Sequence, residues 1–438
     1  MEDNIIKKST SIQFDKSKCI GCTKCVKRCE KLCTNHLSLN GVGKNAEMIF
    51  NDTNKCVLCG QCTLVCPMKA MIEQENIVEV KDILNDKNGK IVIVQCAPSV
   101  RTSINEGFNV EHSPANEKKL NTALRMLGFD KIFDVNFGAD ITTTIEAEEL
   151  IERIKNNGVL PMFTSCCPSW VEYIKLNHKE LIPNLTTAFS PQIHAGIAYK
   201  TWWAEKNGID PKNIVVVAIM PCTSKKHEIN IEETKINGLK AVDYVLTVRE
   251  ITKMIKENNI NFAELEESNG DELSEYTGAS VIYGASGGVM ESALRAAYEM
   301  ITKTKLEKIE FTEVRGDFSG LKEANIDING LTIKVAIVSG AKNYMQLINS
   351  GKYKEYHYIE VMNCLGGCIN GGGQPTFPMA MKPEGEEALI AKRRSVLYSI
   401  DSSKEKRNAL LNPEVKKYME WANNQQDHHK FFHIKEHK

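Results

Sequence analysis

Charge of one sign is the first thing this sequence lacks: across 438 residues, 55 Lys and Arg meet 56 Asp and Glu. No net field draws the chain to nucleic acid or to an anionic membrane, and neither is expected as a partner. Long hydrophobic runs are missing as well, since no stretch nears the roughly 20 apolar residues that cross a bilayer. The opening segment MEDNIIKKSTSIQF has no apolar signal region, so the expected location is the cytoplasm. No short internal repeat stands out. The Gly-rich stretch Gly284-Ala285-Ser286-Gly287-Gly288 has the spacing of neither a dinucleotide-binding nor a phosphate-binding loop, and reads as a helix N-terminus. What remains, with 42% hydrophobic and 25% charged residues, is an ordinary globular chain with material for two or three domains.

Cysteine is what the sequence has in excess. Fifteen of them in a chain expected among reducing thiols do not suit disulfides; metal or redox chemistry does. Thiolates favour iron-sulfur clusters and zinc, and spacing separates the two. Nine of the fifteen lie between Cys19 and Cys66, while six are spread from Cys96 to Cys368. That break predicts a small metal-dense module over residues 1–80, a larger domain over 81–382 and a basic, helical C-terminal segment over 383–438 packed on it. A charged linker is expected at Ile77–Asn88. The tail HHKFFHIKEHK offers histidines to a metal, but reads more simply as a solvated terminus.

Beyond the linker the pattern alternates. Apolar, β-branched runs at Ile91–Gln95, Ile132–Val135, Leu160–Thr164, Ile214–Met220, Val242–Thr247, Ile333–Val338 and Tyr358–Met362 predict strands. Amphipathic stretches at Glu146–Asn157, Trp170–Asn177, Val248–Asn258 and Gly288–Thr302 predict helices between several of them. The expected fold class is α/β, with mostly parallel twisted sheets flanked by helices.

Cys19, Cys22, Cys25 and Cys29 form C-x2-C-x2-C-x3-C, and Cys56, Cys59, Cys62 and Cys66 repeat it, followed by Pro67. Such a run wraps a tight loop around a cubane, three thiolates reaching three irons while the fourth reaches the neighbouring cluster. By that crossing rule Cys19, Cys22, Cys25 and Cys66 serve one 4Fe-4S cluster, and Cys56, Cys59, Cys62 and Cys29 the other. A pair of zinc sites is the alternative, although zinc ribbons show two separated C-x2-C pairs instead of four cysteines in one run. Cys33 falls outside the spacing and reads as a small buried hydrophobe. Two clusters in so small a module make an electron relay, so the chemistry they serve belongs in the larger domain.

There the remaining cysteines follow predicted strands. Cys166 and Cys167 follow Leu160–Thr164, Cys222 follows Ile214–Met220, Cys364 follows Tyr358–Met362, and Cys96 ends Ile91–Gln95. Ligands collect at the carboxyl ends of strands in open α/β sheets, so these segments can converge on one pocket. A core role for each cysteine is the competing reading.

Three segments carry a resemblance to a known family. They are Thr164-Ser165-Cys166-Cys167-Pro168-Ser169-Trp170, Met220-Pro221-Cys222-Thr223-Ser224-Lys225-Lys226-His227-Glu228, and Glu360-Val361-Met362-Asn363-Cys364-Leu365-Gly366-Gly367-Cys368-Ile369-Asn370-Gly371-Gly372-Gly373-Gln374-Pro375. In this order, behind a two-cluster ferredoxin-like module, they resemble the signature segments of iron-only (FeFe) hydrogenases, in the smaller form without further N-terminal cluster domains. The resemblance spans nearly the whole chain. It implies a two-lobed catalytic domain behind a small α+β module of the bacterial-ferredoxin kind.

It also implies an H-cluster: a 4Fe-4S cubane on Cys167, Cys222, Cys364 and Cys368, with Cys368 bridging to a two-iron subsite that carries carbon monoxide, cyanide and an azadithiolate. Lys225 would face one cyanide as a fixed cation. Pro98 and Ser99 would cover the other, and Gln192, Met220 and Met362 would line the pocket. Glu146, Glu149 and Arg153, at i, i+3 and i+7, share a helix face. They resemble the family's proton path from Cys166 through water, Glu146, Thr186 and Glu149 to Arg153, with Cys166 the terminal donor. From the residues alone, Glu149 and Arg153 read as an exposed ion pair.

The activity implied is reversible interconversion of hydrogen gas with two protons and two electrons. Ferredoxin or flavodoxin would be the external carrier, and dedicated maturation proteins would install the two-iron subsite. Five positions depart from the family's commonest pattern: Cys96, Ser169, Thr186, Tyr283 and Asn363. None removes a ligand. Two other classes compete, a non-catalytic iron-sulfur assembly or carrier protein and a hydrogen sensor. The first should lack Cys166 and Lys225, and the second should add a signalling domain and change the Cys166 position.

Overall fold

A computed structural model describes residues 11–41, 43–50, 56–306, 309–316, 319–378 and 381–435. Residues 1–10 of the expected module and 436–438 of the His-rich tail lie outside the described residues. Two four-stranded sheets frame the larger part. In the first, Tyr244–Thr247, Ile214–Met220, Ile91–Cys96 and Lys131–Asp134 lie side by side, all parallel, with Val94 opposite Val217 at the centre. Helices cover both faces of such a sheet, which is why its strands read as unbroken apolar runs and Ile214–Met220 is buried throughout. In the second sheet, Leu331–Ser339 pairs in parallel with Tyr358–Met362, which pairs with Met162–Phe163.

The second sheet also has an edge the sequence reading missed. Leu321–Ile328 runs antiparallel to Leu331–Ser339 through a turn at Asn329-Gly330, with φ of 54° and 85°. Asn-Gly is the pair that takes such positive φ in a two-residue hairpin. The signal was faint because LKEANIDI buries only Ile326 and Ile328.

Four other expectations change. The helix expected at Glu146–Asn157 spans Val135–Lys155, and from Val135 to Ala147 it is buried on every side. A helix without a wet face carries no amphipathic period, so its first half was invisible. Asp134, expected beside a strand residue Val135, ends the strand and caps this helix, its carboxylate accepting from the Asn136 N–H at 2.8 Å. The expected linker is the helix Ile77–Asn85, whose Ile77 and Val80 enter the first sheet's core, so the chain joins the larger part before residue 80. The tail is solvated only in part: Phe431 and Phe432 are buried, their rings 5.3 Å from Trp421 and 5.8 Å from Tyr418, while His429 is exposed.

The N-terminal module is α+β. Ile12–Phe14 pairs with Met71–Glu73, Leu37–Asn40 pairs with Glu47–Phe50, both antiparallel, and helices span Lys24–Leu32 and Gln61–Leu64. Its last strand is clamped to the larger part by Glu73, which accepts from Arg249 at 2.6–3.1 Å and from Thr247 Oγ1 at 2.8 Å. Burial would push this carboxyl up, but Arg249 and the Thr247 hydroxyl together hold it at about 2. A carboxyl held below its unfolded value stabilises the fold above that value and loses the contribution as pH falls through the folded one. We expect Glu73→Gln to cost on the order of 3 kcal/mol at neutral pH. In urea unfolding, the gap to wild type should close between about pH 4.5 and pH 2; a gap independent of pH contradicts the clamp.

Candidate active site

Strand ends from both sheets meet at one place. Ile91–Cys96 leads to Pro98 and Ser99, Ile214–Met220 to Met220 and Cys222, Met162–Phe163 to Cys166 and Cys167, and Tyr358–Met362 to Met362, Cys364 and Cys368. All of these site residues line one cavity, together with Gln192, Lys225, Ser169, Tyr283 and Asn363. Cys96 is buried in the strand end but does not line it. Lys225 is held in the wall: its ammonium donates to both Glu228 oxygens, at 3.0 and 2.8 Å, and to the Cys166 carbonyl at 3.1 Å. The Ser190 hydroxyl steadies that Glu228 carboxylate from the other side at 2.9 Å.

The unusual positions add polar links around the cavity. Ser169 Oγ lies 2.8 Å from Ser224 Oγ, Tyr283 OH lies 2.8 Å from Thr143 Oγ1, and Asn363 Oδ1 accepts from Tyr344 OH at 3.0 Å.

In the module, the two cysteine runs exchange their last members. The thiol of Cys25 feels Cys66, Cys22 and Cys19, whereas Cys29 and Cys56 feel Cys59. Cys33 is buried with its Sγ 3.7 Å from Cys59 Sγ. The second run sits directly against the cavity's rear. Gln61 Nε2 approaches Cys364 Sγ at 3.3 Å and donates to the Asn370 carbonyl at 2.6 Å, while Thr223 and Ser224 hydroxyls donate to Leu58 and Val57 carbonyls at 2.8 and 2.9 Å. Main chain touches main chain here: a Cβ added to Gly372 would stand 2.1 Å from the Cys59 carbonyl oxygen.

Comparison with known proteins agrees with this geometry. Residues 90–372 match the family described as iron only hydrogenase large subunit, C-terminal domain, and residues 18–70 match a 4Fe-4S dicluster domain. The chain is 45% identical to iron hydrogenase 1 of Clostridium pasteurianum, over 94% of its own length and 72% of that protein. The chain belongs to the iron-only hydrogenases. An apo form of the FeFe-hydrogenase HydA1 from Chlamydomonas reinhardtii superposes with a TM-score of 0.71 at 33% identity, covering 82% of this chain and 98% of that one. Cytosolic iron-sulfur assembly component 3 of Rattus norvegicus is more distant, 28% identical over 82% of this chain and 78% of its own.

As an iron-only hydrogenase the chain uses two 4Fe-4S clusters and an H-cluster. Its donor sets fit them. Among the described residues no three His, Cys, Asp or Glu side chains stand as ligands of one ion; the thiols line the wall of a volume instead. Burial pushes the Cys222 thiol up to about 12 and raises those of Cys167, Cys364 and Cys368. Cys25 and Cys56 are likewise pushed up to about 12. Thiols this dry become thiolates only against a cationic centre, which is the chemistry soft iron provides.

Behind Cys166 the hydrogenase has a line of acids. Glu146 is buried with neither carboxylate oxygen hydrogen-bonded. Burial, then Glu149 and Glu360, push its carboxyl far up, which favours the protonated form. Glu149 Oε2 accepts from Thr186 Oγ1 at 2.7 Å, and its Oε1 accepts from Arg153 Nε at 3.0 Å. The Glu149–Arg153 pair is not the exposed pair the residues alone suggested, since its side chains are only 12% and 13% exposed.

The sequence reading missed Gln61, Glu228 and Thr187. Glu228 had a signal, standing three residues after Lys225 on one helical turn. Gln61 and Thr187 had none, because each acts through a segment distant in the chain.

Proposed function

We propose that this chain catalyses the reversible interconversion of hydrogen gas with two protons and two electrons. The observation that supports the reading is the meeting of Cys167, Cys222, Cys364 and Cys368 around one cavity with the free thiol of Cys166 and the ammonium of Lys225 in its wall. These four thiolates would hold the catalytic cubane, with Cys368 also serving the two-iron subsite. When bound, the H-cluster supplies the iron at which hydrogen is made or split. Lys225, fixed by Glu228, and the Pro98-Ser99 turn would face the subsite's diatomic ligands, and Gln192, Met220 and Met362 would line the space around it.

The protein's own task is protons and electrons. Cys166 exchanges protons with the site; Glu146, neutral in its dry pocket, passes them through Thr186 to Glu149. For electrons, Cys56, Cys59, Cys62 and Cys29 would hold the inner 4Fe-4S cluster, because Gln61 and Cys59 abut the segment carrying Cys364. The cluster on Cys19, Cys22, Cys25 and Cys66 is the outer one, and Cys22 is exposed where a carrier docks. That carrier is a ferredoxin or flavodoxin, and maturation proteins install the two-iron subsite.

Infrared spectroscopy of the matured protein tests the reading. It should show metal-bound carbonyl and cyanide bands that shift under hydrogen, with hydrogen evolved from a reduced ferredoxin. A matured protein with iron in all three centres but without those bands is an iron-sulfur assembly or carrier protein, and the proposal falls.

A further inference from the structure

The route from Cys166 reaches Glu149 and there meets a problem of chemistry. Arg153 gives Glu149 its Nε and Nη2, and its remaining donors go to the carbonyls of Val159, Pro183, Asn184 and Leu185. A guanidinium does not give up its proton at any ordinary pH, so Arg153 orients Glu149 without carrying anything to or from it. Glu149's other oxygen points elsewhere. Oε2 accepts from the Thr187 hydroxyl at 3.0 Å, and that hydroxyl lies 2.8 Å from His433 Nδ1.

His433 is held there by the tail. Ile434 N–H donates to the Thr187 carbonyl at 2.8 Å, Phe189 N–H to the Phe432 carbonyl at 3.2 Å, and Phe432 is buried. The imidazole is half-buried, 5.7 Å from the ring of the exposed His429, which is 4.3 Å from that of His428. The three rings share a surface cleft with Glu148, Glu149, Glu152 and Arg153 of the Val135–Lys155 helix, while the Pro413–Asn423 helix contributes only the uncharged Met419 and Asn423.

We propose that His433, backed by His429 and His428, is the proton-relay residue joining Glu149 to solvent through the Thr187 hydroxyl. This rests on the hydrogenase reading. A proton from water binds His433 Nε2; the Nδ1 proton passes to Thr187 Oγ1 as that hydroxyl's own proton passes to Glu149 Oε2. The ring is left with its proton on Nε2; turning about its Cβ–Cγ bond brings Nδ1 to water, where it takes up a proton as Nε2 gives its own back to water, and the return turn restores the starting tautomer; in hydrogen uptake each transfer runs backwards. No electron moves. Burial, opposed by Glu149 and Glu152 and reinforced by His429 and His428, holds the imidazole below its ordinary value, so at neutral pH it is free to accept.

The test uses the matured holoenzyme under saturating reductant. His433→Gln keeps a hydrogen-bonding side chain that cannot titrate, and Thr187→Val keeps the imidazole but removes the hydroxyl between. Each should slow turnover about tenfold or more with the acid limb of the pH profile altered and the infrared bands unchanged. Added imidazole should restore the His433→Gln rate and leave Thr187→Val slow. If both variants turn over like wild type, or if His433→Gln is slow and imidazole does not restore it, the relay is wrong while the hydrogenase reading stands. A matured wild type that neither makes nor consumes hydrogen overturns both. Should one variant fail to fold, the other decides.

Discussion

Replacing Cys166 by Ala should lower hydrogen turnover by a factor on the order of 10²–10⁴ in both directions while leaving the infrared bands of the matured protein in place. The reasoning is positional. Cys166 lies in the same cavity wall as Cys167, Cys222, Cys364 and Cys368; on the proposed reading those four hold the cubane and leave its thiol to move protons. Its thiol feels the charge of Glu146, a buried carboxyl with Tyr358 beside it. Removing the thiol severs the site from that acid, and water alone in so closed a space is a poor substitute. A variant within about tenfold of wild type, or one that loses its bands, contradicts this assignment.

The largest effect on stability should come from Asp401→Ala, at about 3–5 kcal/mol in urea unfolding. Arg295 is wholly buried, with Nη1 and Nη2 each 2.9 Å from an Asp401 oxygen and Nη2 2.8 Å from Glu291. Arg407 shares Asp401 at 2.6 Å and Arg315 shares Glu291 at 2.9 Å. Without Asp401, three guanidinium groups share Glu291 and the partly exposed Glu310, and the buried Arg295 keeps Glu291 alone. A buried cation without its partner is among the costliest defects a fold can carry. The damage should reach the site, because Asp401 ties the Pro383–Ser403 helix to the Gly288–Thr302 helix, whose first turn donates Gly287 and Met290 N–H groups to Glu360. A loss below about 1 kcal/mol would mean that the remaining charges repack freely.

The parts of this protein legible in its sequence were those written locally. A cysteine run that wraps a cubane needs its ligands within a few residues of one another, so both runs could be read at once. Strands buried on both faces announce themselves as apolar runs, and the cysteines just after them could be placed at the sheet's carboxyl edge before any coordinates. The resemblance to a family then supplied roles that no spacing could have given to Lys225, Pro98 or Ser99.

What escaped was written across distance or without contrast. The first half of the Val135–Lys155 helix is dry on all sides and has no period to detect. The Leu321–Ile328 strand is mostly wet and polar. Phe431 and Phe432 looked like part of a polar tail because their burial depends on Tyr418 and Trp421 and on the edge at Ala188. His433 could be understood only after the tail was seen to lie along Thr187.

The seam at Gly372 has a bearing on attempts to rewire the molecule. Because the loop behind the cavity rests its bare backbone on the Cys59 carbonyl, the gap an electron must tunnel across is fixed by peptide planes and not by adjustable side chains. A foreign two-cluster module grafted onto this catalytic half would conduct only if it brought the same backbone contour along; one with matched potentials but any bulk at that point would stand off, and current would fall exponentially with the added distance.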